Sequence, residues 1–238
     1  MSCKYAKIVW KSEGIPRSST FDDIYFSSSG GVEETCHVFL KGNSLPERWQ
    51  ERAHFIIAET GFGTGLNFLC TYALWQQTMP SDAFLHYISI EKYPMKKNDL
   101  SAVYDHIPHL KPYADALLNQ YRPATTHHLN FEKGHVKLTL IIADVKEAFA
   151  QMSVQADAWF LDGFSPSKNP AMWSDNVLMS VAKHTRKGGT LATYTCAKTV
   201  KEGLKKAGFR VGKVPGFASK KHMLTATLPQ KNIEKEKL

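Results

Sequence analysis

The sequence predicts an α/β protein built on a Rossmann-like, mostly parallel sheet whose last strand runs antiparallel. Three observations carry that prediction. From His54 onward, short β-branched or aromatic runs alternate with helical stretches, the pattern of parallel strands joined by crossover helices. The first run, His54-Phe55-Ile56-Ile57-Ala58, passes directly into Glu59-Thr60-Gly61-Phe62-Gly63-Thr64-Gly65 and then a helix-like stretch from Leu66 to Gln77. An acidic residue stands at the end of each of the first, second, third and fourth strands so placed: Glu59, Glu91, Asp144 and Asp162.

Residues 1–20 are polar and carry Gly14, Pro16 and Ser18-Ser19, which reads as a loosely ordered lead-in. Residues 21–40 read as a β-hairpin, with Ile24-Tyr25-Phe26 and His37-Val38-Phe39-Leu40 flanking a turn at Ser28-Ser29-Gly30-Gly31. Short apolar runs place strands at 54–59, 84–90, 136–142, 157–162 and 189–195, with a closing antiparallel pair near 208–214 and 222–228. The intervening stretches give helices near 65–78, 96–105, 145–152, 174–185 and 197–207. His127 to Phe131 can pair with Val136 to Ile142 across Lys133-Gly134 as a second hairpin, and the Pro- and His-containing stretch 106–124 is an insertion of open form. The expected organisation is an N-terminal extension over 1–45, the main α/β domain over 46–230 and a disordered tail over 231–238 with mixed charges.

At 238 residues the chain can bury a continuous core, and no apolar run approaches the length that spans a bilayer. The start, Met1-Ser2-Cys3-Lys4-Tyr5-Ala6-Lys7, lacks an apolar signal region, so a cytoplasmic protein is expected. Cys3, Cys36, Cys70 and Cys196 are scattered without metal-ligand spacing, and His127-His128 belongs to no H-x-x-x-H grouping, so no metal site is expected. The formal charge is +8, with basic residues concentrated late: Lys183, Arg186 and Lys187; Lys198, Lys201, Lys205 and Lys206; Lys213, Lys220 and Lys221. Such a face suits a polyanion, because backbone phosphates attract lysine without reading sequence; a solvated helix surface is the alternative for 198–206.

The glycine loop narrows the ligand. Glycine turns with positive φ and lets the backbone approach a ligand, and the following helix N-terminus offers unpaired N–H groups. A dinucleotide fingerprint wants G-x-G-x-x-G. Here the third glycine comes one residue early and Glu59 precedes the loop, where it would repel a pyrophosphate. A carboxylate tolerates the cationic amino-acid end of S-adenosylmethionine, so that cofactor is expected at Glu59, Gly61, Gly63 and Gly65. Glu91 can accept bonds from both ribose hydroxyls, and Asp144 with the Val145 N–H can hold the adenine. Helix capping is the structural alternative for Glu91 and Asp144.

Asp162 opens a loop with Gly163, Phe164, Pro166, Pro170 and Trp173, a rigid presentation of side chains. Methyl transfer needs an in-line nucleophile, and an amine must arrive neutral, so a carboxylate such as Asp162 can take its proton. Phe164 or Trp173 would wall the acceptor. A turn-forming aspartate beneath a proline loop is the alternative.

These segments resemble the S-adenosylmethionine-dependent methyltransferase module of the MnmC family of tRNA-modifying enzymes, which are class I methyltransferases. The likeness runs from Phe21 to Leu228 through Phe21-Asp22-Asp23-Ile24-Tyr25-Phe26-Ser27, Val32-Glu33-Glu34-Thr35, Phe39-Leu40-Lys41-Gly42-Asn43, the glycine loop to Phe68, Asp162-Gly163-Phe164-Ser165-Pro166, Asn169-Pro170-Ala171-Met172-Trp173, Pro215-Gly216-Phe217 and Met223-Leu224. The resemblance implies N-methylation of the 5-aminomethyl group of a (2-thio)uridine at the tRNA wobble position. It maps the catalytic aspartate onto Asp162, and tRNA contact is expected at Lys220 and Lys221. The chain departs from the family pattern at Lys198-Thr199 and at Lys220-Lys221-His222. In many members the module is fused to a flavin-dependent oxidase that exposes the amine. This chain is expected to be a stand-alone methyltransferase or one module of a fusion, holding no flavin, with a separate oxidase or amine-installing enzyme as partner. A methyltransferase of a small amine metabolite and a catalytically silent tRNA-binding protein are the rival readings; a nicotinamide oxidoreductase fits the loop poorly.

Overall fold

A computed structural model describes residues 4–10 and 15–230. The expected tail at 231–238 lies outside them. The N-terminal part begins with a small antiparallel sheet of β1 (Ile8–Trp10), β2 (Pro16–Ser18) and β3 (Asp23–Ile24). Residues 15–20 are therefore not a loose lead-in: Ile15 and Ser18 are buried, and Tyr25 N–H closes the sheet on Pro16 O at 3.2 Å.

The expected hairpin over 21–40 is overturned. After β3 the chain enters helix α1 (Gly31–Thr35), widens into a π-type turn at Cys36–Leu40 and tightens into a 3₁₀ turn at Lys41–Asn43. Val38, Phe39 and Leu40 are all buried in succession, which a strand exposed on one face cannot achieve. Periodicity alone does not separate a short buried apolar run in a strand from one in a helix. Helix α2 (Glu47–Gln50) then seats Trp49 edge-on against Phe55 and Trp75.

The main sheet follows. In chain order its elements are β4 (His54–Thr60), α3 (Leu66–Thr78), β5 (Phe84–Glu91), α4 (Lys97–Tyr104), α5 (Lys111–Gln120), β6 (His127–Phe131), β7 (Val136–Ile142), α6 (Val145–Gln151), β8 (Ala156–Leu161), α7 (Asp175–Lys183), β9 (Thr185–Thr193), α8 (Lys198–Lys206), β10 (Arg210–Pro215) and β11 (His222–Thr227). Strand order is β10-β11-β9-β8-β4-β5-β7-β6. Strands β9, β8, β4, β5 and β7 are parallel, β11 inserts antiparallel beside β9, and β6 pairs antiparallel with β7 as the second hairpin predicts. The insertion at 106–124 resolves into a 3₁₀ turn at Pro108–Leu110 leading into α5.

Side chains alternate by strand parity between two buried layers. Phe55, Ile57, Leu85, Tyr87, Leu138 and Phe160 join α3, α4, α5 and the N-terminal helices on one face. Ala58, Ile88, Ile90, Trp159 and Leu161 pack with α6, α7 and α8 on the other. Burial on both faces is why these strands read as continuous apolar runs. It leaves the carboxyl ends of β8, β4, β5 and β7, neighbours in the sheet, as the place where polar side chains meet a crevice.

Candidate active site

That crevice is a cavity of about 610 Å³. Of the residues singled out from sequence, Gly61, Gly63, Glu91, Asp144, Val145, Asp162, Phe164 and Lys220 line it. All three loop glycines take positive φ, at 80°, 53° and 73° for Gly61, Gly63 and Gly65. Gly61 N–H donates to Ile90 O at 2.8 Å, and Gly63 N–H donates to Glu91 Oε2 at 2.9 Å, so the loop is pinned to β5. Gly65 shapes the turn rather than the cavity wall: it is the left-handed N-cap of α3, and an added Cβ would lie 2.7 Å from the Phe62 ring.

Glu59 departs from the expected position at the mouth. It shares the parity of Phe55 and Ile57, so its side chain turns into the buried layer and is wholly buried. Ser89 Oγ donates to its Oε2 at 2.6 Å and Asn67 Nδ2 to its Oε1 at 2.8 Å, while burial pushes its carboxyl well above the usual range. The same Asn67 Nδ2 donates to Asp162 Oδ2 at 2.8 Å. Glu59 thus meets the cavity only through Asn67. Sequence reasoning missed Asn67, although a lone amide in the first turn of the otherwise apolar Leu66-Asn67-Phe68-Leu69 was a signal.

Glu91 uses both oxygens on backbone, accepting from Gly63 N–H and, at 2.8 Å, from Tyr93 N–H. Burial raises its carboxyl, and those N–H groups oppose the rise. Each carboxylate oxygen has acceptor capacity beyond these bonds, and the residue lines the cavity. Asp144 does cap α6, accepting from Lys146 N–H at 3.1 Å, and pairs with Lys92 Nζ at 2.9 Å. Burial would raise its carboxyl, but Lys92 and the Lys146 N–H outweigh that and hold it below the ordinary value.

Asp162, at the end of β8, also lines the cavity. Burial pushes its carboxyl up to about 7, against the Gly163 N–H and the Asn67 amide that favour the charged form. Its Oδ1 accepts from Gly163 N–H at 2.7 Å. Phe164 forms the wall beside it, stacked on Phe21 at 4.7 Å and met edge-on by Tyr25 at 5.1 Å. Trp173 is no wall: it is buried beneath the loop, its Nε1 donating to Phe164 O at 2.9 Å as a prop.

At the rim, Lys220 Nζ pairs with Glu34 Oε1 at 2.7 Å and sits 4.2 Å from the Tyr194 ring centre. Glu34 lines the cavity and also accepts from Ser27 N–H, so α1 closes one side of the crevice. Lys221 is exposed outside it, its carbonyl taking the Gly216 N–H. Phe21, Asp23, Tyr25 and Glu34 come from the N-terminal part, far from the glycine loop in sequence.

The glycine loop on the first parallel strand, with acids at the ends of β5, β7 and β8, defines a Rossmann-like enzyme of the class I methyltransferase type. A family model described as S-adenosyl-L-methionine-dependent methyltransferase matches residues 108–229. The chain belongs to that family and is a methyltransferase dependent on S-adenosylmethionine. It is 45% identical over 232 residues to the tRNA 5-methylaminomethyl-2-thiouridine biosynthesis bifunctional protein MnmC of Marinobacter nauticus, covering 94% of this chain and 37% of that protein. With the protein of that name from Methylobacillus flagellatus it shares 48% over 223 residues, covering 92% of this chain and 34% of the relative. The chain therefore spans about a third of the length of these curated relatives. Among solved structures, MNMC2 from Aquifex aeolicus superposes with a TM-score of 0.70 at 22% identity, covering 95% of this chain and 73% of that one. Spermidine synthase from Thermotoga maritima gives 0.55 at 10% identity, with 95% and 71% covered. Both likenesses are of fold.

Proposed function

We propose that this chain N-methylates the 5-aminomethyl group of a (2-thio)uridine at the tRNA wobble position. The observation that carries the reading is the placement of Asp162: a carboxyl that lines the cavity at the end of β8, held by the Gly163 N–H and Asn67 and pushed up to about 7 by burial, suits the proton acceptor that an alkylammonium acceptor requires. The acceptor class follows from the relatives named for tRNA 5-methylaminomethyl-2-thiouridine biosynthesis. The residues fit the cofactor, since the backbone of Gly61 and Gly63 lines the crevice and Glu91, Asp144 and the Val145 backbone offer the acceptors and donor that a ribose and an adenine call for. S-adenosylmethionine supplies an electrophilic methyl on a cationic sulfur. Asp162 takes the proton from the amine so that its lone pair is free, and Phe164, backed by Phe21 and Tyr25, presents a flat face to the base. Glu59 acts indirectly, by holding Asn67.

The domain reading becomes a proposal of one working unit: residues 1–45 supply acceptor-side walls to the main domain. A separate amine-exposing activity, such as a flavin-dependent oxidase, is the proposed partner, and the cytoplasm the proposed location. Among the described residues no helix is long and apolar enough to cross a membrane.

Nucleoside analysis of tRNA incubated with the enzyme and labelled methyl donor tests the assignment. Appearance of the methylaminomethyl nucleoside, uncompeted by small amines, is the expected result; preferential labelling of the small amines would replace it with the metabolite reading. Three further outcomes are expected. Glu91→Ala weakens S-adenosylmethionine binding by roughly 1–3 kcal/mol through lost hydrogen bonds to a charged acceptor, read by calorimetry. Affinity for tRNA falls steeply with salt, as expected for a chain of formal charge +8. Charge reversal at exposed Lys221 lowers tRNA affinity with methyl transfer otherwise intact, whereas reversal at Lys220 also slows transfer by releasing Glu34 from the acceptor-side wall, with S-adenosylmethionine affinity unchanged in both. A flat salt response in fluorescence anisotropy would contradict the polyanion face.

A further inference from the structure

We infer that Asn67 is a positioning residue for Asp162, a role that rests on the proposed reading of Asp162 as the proton acceptor. Its amide, anchored by Thr35, holds Oδ2 of the Asp162 carboxylate in place.

The geometry is specific. Asn67 is buried in the first turn of α3, between the ends of β4 and β8. Its Nδ2 carries two protons, and both are engaged: one on Asp162 Oδ2 at 2.8 Å, one on Glu59 Oε1 at 2.8 Å. Its Oδ1 accepts from Thr35 Oγ1 at 2.7 Å, a hydroxyl delivered by α1. The two carboxyls set the orientation, and Thr35 anchors the other end of the amide. A flipped amide would aim its carbonyl oxygen at two carboxyls and lose both Nδ2 hydrogen bonds, keeping only a bond to the Thr35 hydroxyl, which can donate or accept.

Asp162 is thereby gripped from two directions. Gly163 N–H holds Oδ1 at 2.7 Å, and Gly163 is itself anchored where Tyr194 OH donates to its carbonyl at 2.8 Å. With Oδ1 and Oδ2 each occupied by one donor, the carboxylate cannot rotate, yet each oxygen retains a lone pair for an acceptor amine. The surrounding titratable groups are Glu59 and Tyr87 from the buried layer below, and Glu34, Lys220 and Tyr194 at the rim. Lys220 favours the charged form from the rim, where Glu34 opposes it. Asn67 is the buried side chain that donates to Asp162 directly, so its removal leaves an acid held on one oxygen by the Gly163 N–H, with higher proton affinity, beside Glu59.

The test is the pH dependence of turnover in Asn67→Ala at saturating tRNA and S-adenosylmethionine, with the Asp162 carboxyl titrated independently by carbon NMR on aspartate-labelled enzyme. The expected result is a fall in kcat of about tenfold and an upward move of about one pH unit in the acid limb and the carboxyl titration alike. KM for tRNA and the affinity for S-adenosylmethionine stay within about twofold, since the changed group acts on the proton and not on ligand contacts. Thr35→Val keeps shape, removes only the anchoring hydroxyl and shifts the limb the same way by less; it serves as the test if Asn67→Ala does not fold. An unmoved acid limb and unmoved titration, with turnover or melting temperature merely lowered, would make Asn67 a packing residue and overturn the inference. Inactive Asp162→Asn alongside that outcome leaves the base reading intact, whereas full turnover in Asp162→Asn removes both.

Discussion

Asp162→Asn slows methyl transfer by about a hundredfold or more at saturating substrates, while affinity for S-adenosylmethionine stays within about twofold. The substitution keeps the volume of the side chain and removes its capacity to take a proton. It also sets an amide where Gly163 N–H and Asn67 Nδ2 both donate, so one of the two contacts becomes donor against donor. Circular dichroism therefore accompanies the kinetics to confirm the fold. Wild-type rate rises with pH through the region near 7, where Asp162 loses its proton and the amine begins to be available. Stability moves the opposite way. The folded carboxyl titrates near 7 against an ordinary value of 3.8, so the native state binds more protons across that window. Stability then falls as pH rises from about 4 to about 7, and Asp162→Asn removes that part of the slope. Near-wild-type turnover in the variant would refute the proton-acceptor role and leave the aromatic loop as a positioning device.

Gly61→Val abolishes measurable S-adenosylmethionine binding, an expected loss of more than about a hundredfold in affinity. The added Cβ would lie 3.1 Å from Gly163 Cα and 3.2 Å from Asp162 O, both backbone atoms of the loop after β8, and the valine methyls would reach further. Neither neighbour can rotate away. The φ of 80° adds strain that a β-branched residue rarely tolerates. Gly63→Val is the milder companion, because its nearest neighbour, at 3.2 Å, is the Tyr25 ring, which can tilt. Calorimetry on folded variants should rank Gly61→Val below Gly63→Val and both below wild type. Unchanged affinity in a folded Gly61→Val protein would show that the loop does not cradle the cofactor.

The glycine loop and the acids at strand ends were readable because both are local signals. A buried strand announces itself by an apolar run, and the residue after that run is where a side chain can leave the core. Glu91, Asp144 and Asp162 follow that rule. Glu59 obeys a finer one: it stands one residue before the end of β4 and shares parity with Phe55 and Ile57, so strand alternation already placed it in the buried layer. Trp173 was misread for a different reason. Whether a loop tryptophan walls a cavity or props a loop depends on the partner of its indole N–H, here the carbonyl of Phe164.

The order of strands and helices after His54, the glycine loop and the late concentration of lysines are properties of the sequence itself, because apolar periodicity and glycine conformation act over a few residues. The arrangement of the N-terminal part was decided elsewhere. Val38 to Leu40 form a helix because α3 and the sheet leave a buried groove there, whatever their strand propensity. Tertiary packing alone brought Phe21 and Tyr25 onto Phe164, Thr35 onto Asn67, and Lys220 onto Glu34. Each of these contacts joins segments that only the assembled sheet and its covering helices bring together, and no local preference of either segment encodes the other.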